Sequence, residues 1–251
     1  APDAADFGDE GSNTLAASGQ SPRFDTPNLR RLGLVNIRGV GLAPKEAAPA
    51  GAFARLVEVS RGKDTTIGHW EIAGVESPKA LPVFPCGFPP ELIGEYERLI
   101  GRKVICNLPY SGTQVIRDYG EEHMRTGALI VYTSADSVFQ VAANETMVPL
   151  PELYRYCELA REMLAGDWAV GRVIARPFVG DKPENFTRTA GRHDYSLKPP
   201  APTILDALNE SGRQVVGVGK IYDIFAGQGV TRHIKTGGNA QGVKATLELA
   251  A

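Results

Sequence analysis

The sequence predicts an α/β protein, and three observations carry that reading. Short strand-like runs alternate with segments of helical period along most of the 251 residues. Residues 128–133 form a continuous apolar run, and 170–175 read as a second buried strand, the pattern of strands covered on both faces. The helical segments between them carry their own start and stop signals.

From the N-terminus, the first twenty residues are rich in Gly, Ala, Ser and Asp and show neither period. They are predicted to be structureless, and a chain opening at Ala1 in this way is expected to be a piece of something longer. Thr26, Pro27 and Asn28 open a short helix that Gly33 ends, with Thr26 at the cap and Pro27 in the first turn. Residues 53–59 alternate as a half-buried strand does. A polar loop over 60–66 then leads into a helix beginning at Ile67.

Residues 90–100 read as a helix closed by Gly101, and 103–106 as a strand. Ser111 is placed as the cap of a helix running to Arg125. After the apolar run 128–133 comes a polar turn, Ser134, Ala135, Asp136 and Ser137. Residues 151–165 carry Leu153, Tyr156, Cys157, Ala160 and Leu164 along one helical face. Residues 176–202 read as an Arg-, Pro- and Gly-rich loop. A helix over 203–209, a strand over 215–218, a short helix over 221–225 and an amphipathic run over 243–251 complete the order.

Composition narrows the function classes. With 43% hydrophobic and 22% charged residues the chain suits a globular fold with a sizeable core. A net charge of −2 argues against nucleic acid as a partner, and no run approaches the roughly 18 apolar residues of a membrane span. Cys86, Cys106 and Cys157 are odd in number and unclustered, which suits reduced thiols and a cytoplasmic location.

Three stretches can carry chemistry. In 62–70 a hydroxyl just before a helix start, Thr65, sits where backbone N–H groups and the helix dipole favour negative charge. It suits a phosphoryl acceptor that a base or metal must activate; a simple capping Thr is the other reading. Arg172, Arg176, Arg188 and Arg192 fall within 21 residues. They make either a phosphate pocket, through their planar forks of donors, or surface ion pairs with Asp181, Glu184 and Asp194. The turn after 128–133 lies at a strand's C-terminal end, where α/β folds bind ligands, or is only a turn. Lys220 either meets a phosphate or faces solvent. His69, His123, His193 and His233 are scattered, so no complete metal site assembles from spacing.

Several of these strings together resemble the phosphopentomutase family of the alkaline phosphatase superfamily. They are Gly62-Lys63-Asp64-Thr65 with Gly68-His69-Trp70-Glu71-Ile72, residues 130–138 (IVYTSADSV) and 171–178 (GRVIARPF). Phe186-Thr187-Arg188-Thr189, Arg192-His193-Asp194-Tyr195 and Val218-Gly219-Lys220-Ile221 continue the match, and Ala1-Pro2-Asp3-Ala4 with Phe7-Gly8-Asp9 extends it to the N-terminus.

The resemblance implies a partial alkaline-phosphatase-like core with an inserted α/β cap: core over 1–79, cap over 80–197, return to the core over 198–251. It implies that Thr65 is phosphorylated and bridges two Mn2+ ions through its hydroxyl or phosphate. Phosphate would then move between the 1 and 5 positions of ribose or deoxyribose through a 1,5-bisphosphate. Ser134, Asp136, Val138, Arg172, Ile174, Arg188 and Lys220 would surround the pentose phosphate. The family's remaining metal ligands have no counterpart in this chain, and Ile67 stands where the family usually has Thr. The 251 residues alone are therefore expected neither to bind two Mn2+ tightly nor to isomerise ribose 1-phosphate. The alternatives are a non-catalytic sugar-phosphate-binding fragment and another phosphomutase of the superfamily.

Overall fold

A computed structural model describes residues 4–42 and 44–251, apart from the Phe7 side chain. Ala1, Pro2 and Asp3, which open the N-terminal resemblance, lie outside the described residues. The chain divides into a unit ending at Arg61 and a unit spanning Gly62–Ala251.

The first unit is built from short helices and side-chain clasps. A 3-10 turn spans Ala4–Phe7, and helix α1 (Thr14–Ser18) starts where the Asn13 side chain accepts the Ala16 N–H at 3.0 Å. The opening twenty residues are thus not structureless as expected. Five-residue helices are too short to show a period and are specified by their caps. Helix α2 (Pro27–Arg31) follows Thr26, whose side chain makes no capping hydrogen bond, and Gly33 turns the chain at φ 104°. The Asn36 amide then clasps Glu46, donating to its carbonyl at 2.8 Å and accepting its N–H at 2.9 Å. The strand expected over 53–59 does not form among the described residues. Leu56 and Val57 are 89% and 78% exposed, so the alternation buries no face there.

In the second unit, helix α3 (Thr65–Ile72) begins two residues before the expected Ile67, because Asp64 accepts the Thr66 N–H at 2.7 Å. Helix α4 (Pro90–Ile100) ends at Gly101 in the left-handed region, as its sequence signals require. Strand β1 (Val104–Pro109), helix α5 (Gln114–Thr126) and strand β2 (Leu129–Thr133) form one crossover. The cap of α5 is Thr113 rather than Ser111. Strand β3 (Val138–Asn144), helix α6 (Leu150–Met163) and strand β4 (Arg172–Val179) form a second.

Strands β5 (Thr187–Arg188) and β6 (His193–Ser196) lie within the stretch read as a loop. Helix α7 (Ile204–Glu210) starts at a Thr203–Asp206 capping box. Strand β7 (Val216–Val218), helix α8 (Ile221–Ile224), strand β8 (Arg232–Ile234) and helix α9 (Asn239–Ala250) complete the chain.

The main sheet runs β1-β2-β3-β4-β5, with β6 also on β4. β1 and β2 are parallel, as are β3 and β4; β2–β3, β4–β5 and β4–β6 are antiparallel. The Ser134–Ser137 turn is therefore a hairpin joining two βαβ units. Because alternate side chains point to opposite faces, Leu129, Val131, Phe139, Val141, Val173 and Ala175 pack against α4 and α6. There Phe139 meets the Phe88 and Tyr96 rings at 4.7 and 5.1 Å; each such fully buried side chain stabilises the fold by roughly 1.5–3 kcal/mol. On the opposite face Ile130, Tyr132, Ala142 and Phe178 meet Val115 and Ile116 of α5. Towards the hairpin turn, that second face carries Val138, Gln140, Arg172 and Ile174. A smaller core gathers Ile67, Trp70, Ala73, Val75 and Phe225, with Leu81, Leu197 and Leu205 against it.

Candidate functional site

Thr65 is the first residue of α3 and is exposed, with Asp64 half-buried at the cap. Its hydroxyl therefore sits at a helix N-terminus, where the dipole favours an anion. One turn on, the His69 Nδ1 lies 2.7 Å from the Thr65 carbonyl oxygen, so that ring is spent on the backbone. The cap of α3 is pressed against the start of β4. A Cβ built on Gly171 would lie 2.9 Å from Leu81 Cδ1 and 3.6 Å from Asp64 Oδ2. Glycine keeps that approach uncrowded, and the next residue is Arg172.

The hairpin turn is tied to the same place by Ser137. Its Oγ donates to the Pro82 carbonyl at 2.5 Å and accepts the Gly171 N–H at 3.2 Å, while its carbonyl accepts the Arg172 N–H at 3.3 Å. Within the turn the Ser134 Oγ accepts the Asp136 N–H at 3.3 Å, and the Asp136 carbonyl accepts the Val138 N–H at 3.0 Å. The Thr133 hydroxyl donates to the Val138 carbonyl at 2.8 Å. In the ladder Val138 is paired with Arg172, and Ile174 with Asp194. Ser134, Asp136, Val138, Arg172 and Ile174 are thereby gathered beside the Thr65 end of α3.

Arg172 stands between two carboxylates without closing on either. Its Nη2 is 3.8 Å from Asp136 Oδ2, its Nη1 3.8 Å from Asp194 Oδ2, and its buried Nε has no hydrogen-bond partner. These separations exceed hydrogen-bond range, so the guanidinium keeps donors for a ligand. Asp194 is instead held by Arg192 in a two-pronged pair at 2.8 and 2.7 Å. The surface ion-pair reading of the arginine group thus holds closely for Arg192, and only as looser pairs at 3.8 Å for Arg172.

Arg176 and Arg188 lead elsewhere. With Arg117, Arg192, Thr113, Ile116 and Phe186 among its walls, a cleft of about 580 Å³ opens beside the first turn of α5. The Arg176 Nε donates to Gln140 at 3.1 Å, and burial, with Arg192 and Arg188 close by, pushes its guanidinium below the ordinary range. Lys220 stands exposed at the start of α8, on the β7–α8 pair rather than on the main sheet.

Metal binding is the chemistry these residues supply least. Among the described residues no three His, Cys, Asp or Glu side chains gather as a metal needs. His123 is fully buried between the Ala128 carbonyl and the Asn144 N–H, His193 packs on Tyr154 and Tyr195, and His233 stacks on Tyr222. Asp64 and Thr65 alone do not make a two-metal site.

A hydroxyl at a helix N-terminus and a guanidinium short of hydrogen bonds on an α/β sheet are groups of the kind that can hold phosphate. Comparison with known proteins is more specific. No family model matches the chain. It is 60% identical over 98% of its length to the phosphopentomutase of Lachnoclostridium phytofermentans. Identity is 56%, also over 98%, to that of Caldanaerobacter subterraneus, and 54% over 98% to that of Deinococcus radiodurans. The chain spans 63%, 63% and 64% of those relatives' own lengths. Its homologues are phosphopentomutases, and the relationship runs along nearly every residue of the chain.

Proposed function

We propose that these 251 residues are part of a phosphopentomutase that interconverts ribose or deoxyribose 1-phosphate and 5-phosphate. The observation that carries the reading is the Arg172 guanidinium, short of hydrogen bonds and set between the hairpin turn and the Asp64–Thr65 cap. Arg172 grips a phosphate, for which its fork of donors is suited. Ser134 and Asp136 bind sugar hydroxyls, and Val138 and Ile174 pack against the ring. Thr65 carries the phosphoryl group: it passes to the 5-hydroxyl of ribose 1-phosphate, and the 1-phosphate of the resulting bisphosphate returns to Thr65. The helix N-terminus stabilises the charge that gathers there. Arg188 and Lys220 complete the pocket from outside the gathered group. Residues 80–197 act as the cap over a core made from 1–79 and 198–251, in the cytoplasm. Two Mn2+ ions, for which Thr65 would be one ligand and the described residues do not supply the rest, would neutralise charge at the phosphoryl group.

Titration of the chain with ribose 5-phosphate in a calorimeter tests the pocket. Binding is expected, and Arg172→Ala should weaken it roughly tenfold or more. Absence of heat from the unaltered chain, or full affinity in the variant, would overturn the reading. Extended to its relatives' full length, the protein should convert ribose 1-phosphate and lose that conversion on Thr65→Val.

A further inference from the structure

The segment over 180–192, which carries Arg188 and Arg192, is held at both ends by two consecutive residues where β3 stops. The Asn144 Nδ2 donates to the Gly180 carbonyl at 2.8 Å. The Glu145 N–H donates to the Phe178 carbonyl at 2.9 Å, and its carboxylate accepts the Thr189 hydroxyl at 2.5 Å. Thr189 follows Arg188 directly; its own N–H donates to the Pro177 carbonyl at 3.1 Å, and its Oγ1 accepts the Gly191 N–H at 3.3 Å. From α6 the Tyr154 hydroxyl donates to the Gly191 carbonyl at 2.8 Å. An added Cβ at Gly191 would be 2.8 Å from Leu150 and 3.2 Å from Pro177, so the chain is drawn tight against α6 and β4 there.

These ties matter because the ladder is short at Arg188. β5 is two residues long, registered by Phe178↔Arg188 and Val179↔Thr187, and so brief a pairing has little stability of its own. Thr187 and Arg188 are both exposed, so core packing does not fix them. A hydrogen bond to an ionised acceptor is about twice as strong as one between neutral groups. The Thr189–Glu145 bond is therefore the strongest side-chain tie at the Arg188 end, ahead of Tyr154 to Gly191.

We propose that Glu145 is a positioning residue: through Thr189 it fixes the backbone that presents Arg188 to a pentose phosphate, without itself touching the ligand. The inference rests on the reading of Arg188 as a pocket residue and adds the group that holds it there. Binding has to order whatever is loose, and a backbone already fixed removes part of that cost. Loosening the tie should weaken the complex although no ligand contact is deleted.

Two measurements on the 251-residue chain test this. Limited trypsin digestion, with cleavage after Arg188 and Arg192 followed by mass spectrometry, reads the tie, and calorimetry with ribose 5-phosphate reads its consequence. Glu145→Ala and Thr189→Val should each speed cleavage after Arg188 and weaken ribose 5-phosphate binding, both by about fivefold. Glu145→Gln, whose amide oxygen still accepts the Thr189 hydroxyl, should stay within about twofold of the unaltered chain in both. The double variant Glu145→Ala, Thr189→Val should bind no more weakly than either single one, because both remove the same bond. Faster cleavage at unchanged affinity would make the bond merely structural and overturn the proposal, as would unchanged cleavage or losses that add in the double variant. If the unaltered chain does not bind ribose 5-phosphate, this inference falls with the pocket it rests on. If affinity is lost in Arg172→Ala and kept in Glu145→Ala, this inference alone falls.

Discussion

Lowering the pH below about 6.5 should destabilise this protein through His123. The ring is fully buried at the end of α5; its Nδ1 lies 2.6 Å from the Ala128 carbonyl and its Nε2 accepts the Asn144 N–H at 2.9 Å. The accepting nitrogen must be bare, so the folded state holds the neutral tautomer with the proton on Nδ1. Burial pushes the ring's pKa down, the Ala128 hydrogen bond partly opposes this, and the positive Arg102 adds to the lowering. A folded pKa below the unfolded value means that the unfolded chain binds the extra proton. Stability from this group is therefore complete above about pH 6.5 and is lost as pH falls below it, by up to about 1.4 kcal/mol per pH unit until the folded pKa is reached. Urea unfolding at pH 7.5, 6.5, 5.5 and 5.0 measures the slope. In His123→Gln the chain should be less stable at pH 7.5 by about 1–3 kcal/mol, through the disturbed hydrogen bonds, and its stability should fall less steeply below pH 6.5. Equal slopes in the two proteins would refute the argument.

Two further outcomes follow from backbone and burial. Gly87 has φ +86°, and an added Cβ would lie 2.0 Å from the Asn107 carbonyl oxygen, whereas at Gly74, φ +93°, the Cβ would meet nothing within 4 Å. Gly74→Ala should cost about 1–2 kcal/mol from backbone strain alone and Gly87→Ala clearly more, measured by thermal unfolding; equal losses would discount the steric contact. In the native protein iodoacetamide should label exposed Cys86 first and half-buried Cys106 more slowly, since burial raises the Cys106 thiol pKa. Cys157, fully buried and pushed higher still by desolvation, should react only on unfolding, and mass spectrometry of native and denatured samples separates the cases.

The parts of this structure that were legible in the sequence are those specified locally. α4 and α6 announce themselves through apolar stripes, a proline-led start and, for α4, a closing glycine, and Leu153, Tyr156, Cys157, Ala160 and Leu164 are all buried as the stripe requires. Strand β3 was not, because polar Gln140 and Asn144 interrupt its apolar run. Both are buried and satisfied from far along the chain, Gln140 by Arg176 and Asn144 by the Gly180 carbonyl. Residues 53–59 failed in the opposite sense: alternation was present, but Leu56, Val57 and Val59 stay exposed among the described residues. At the site, Thr65, the turn and the arginines could be named from residue type. What could not be read was Ser137, which ties that turn to Pro82 across 55 residues. Nor did residue type separate the arginines into two places or pick out Glu145, since its tie to Thr189 spans 44 residues.

The division of the arginines follows from strand parity. Arg172, Ile174 and Arg176 are at i, i+2 and i+4 of β4, so all three face one way, while Val173 and Ala175 face the core under α6. Seven consecutive β3–β4 pairs, from Val138↔Arg172 to Asn144↔Phe178, hold that parity. A slip of one residue would exchange both arginines with Val173 and Ala175, burying two charges in the apolar core and exposing the apolar pair. The register that places Arg172 beside the Asp64 cap is thus enforced by the same hydrophobic contacts that hold the sheet to α6. The facing of the β4 arginines is consequently held by the core behind them, while Ser134 and Asp136 rely on the turn that Ser137 ties to Pro82.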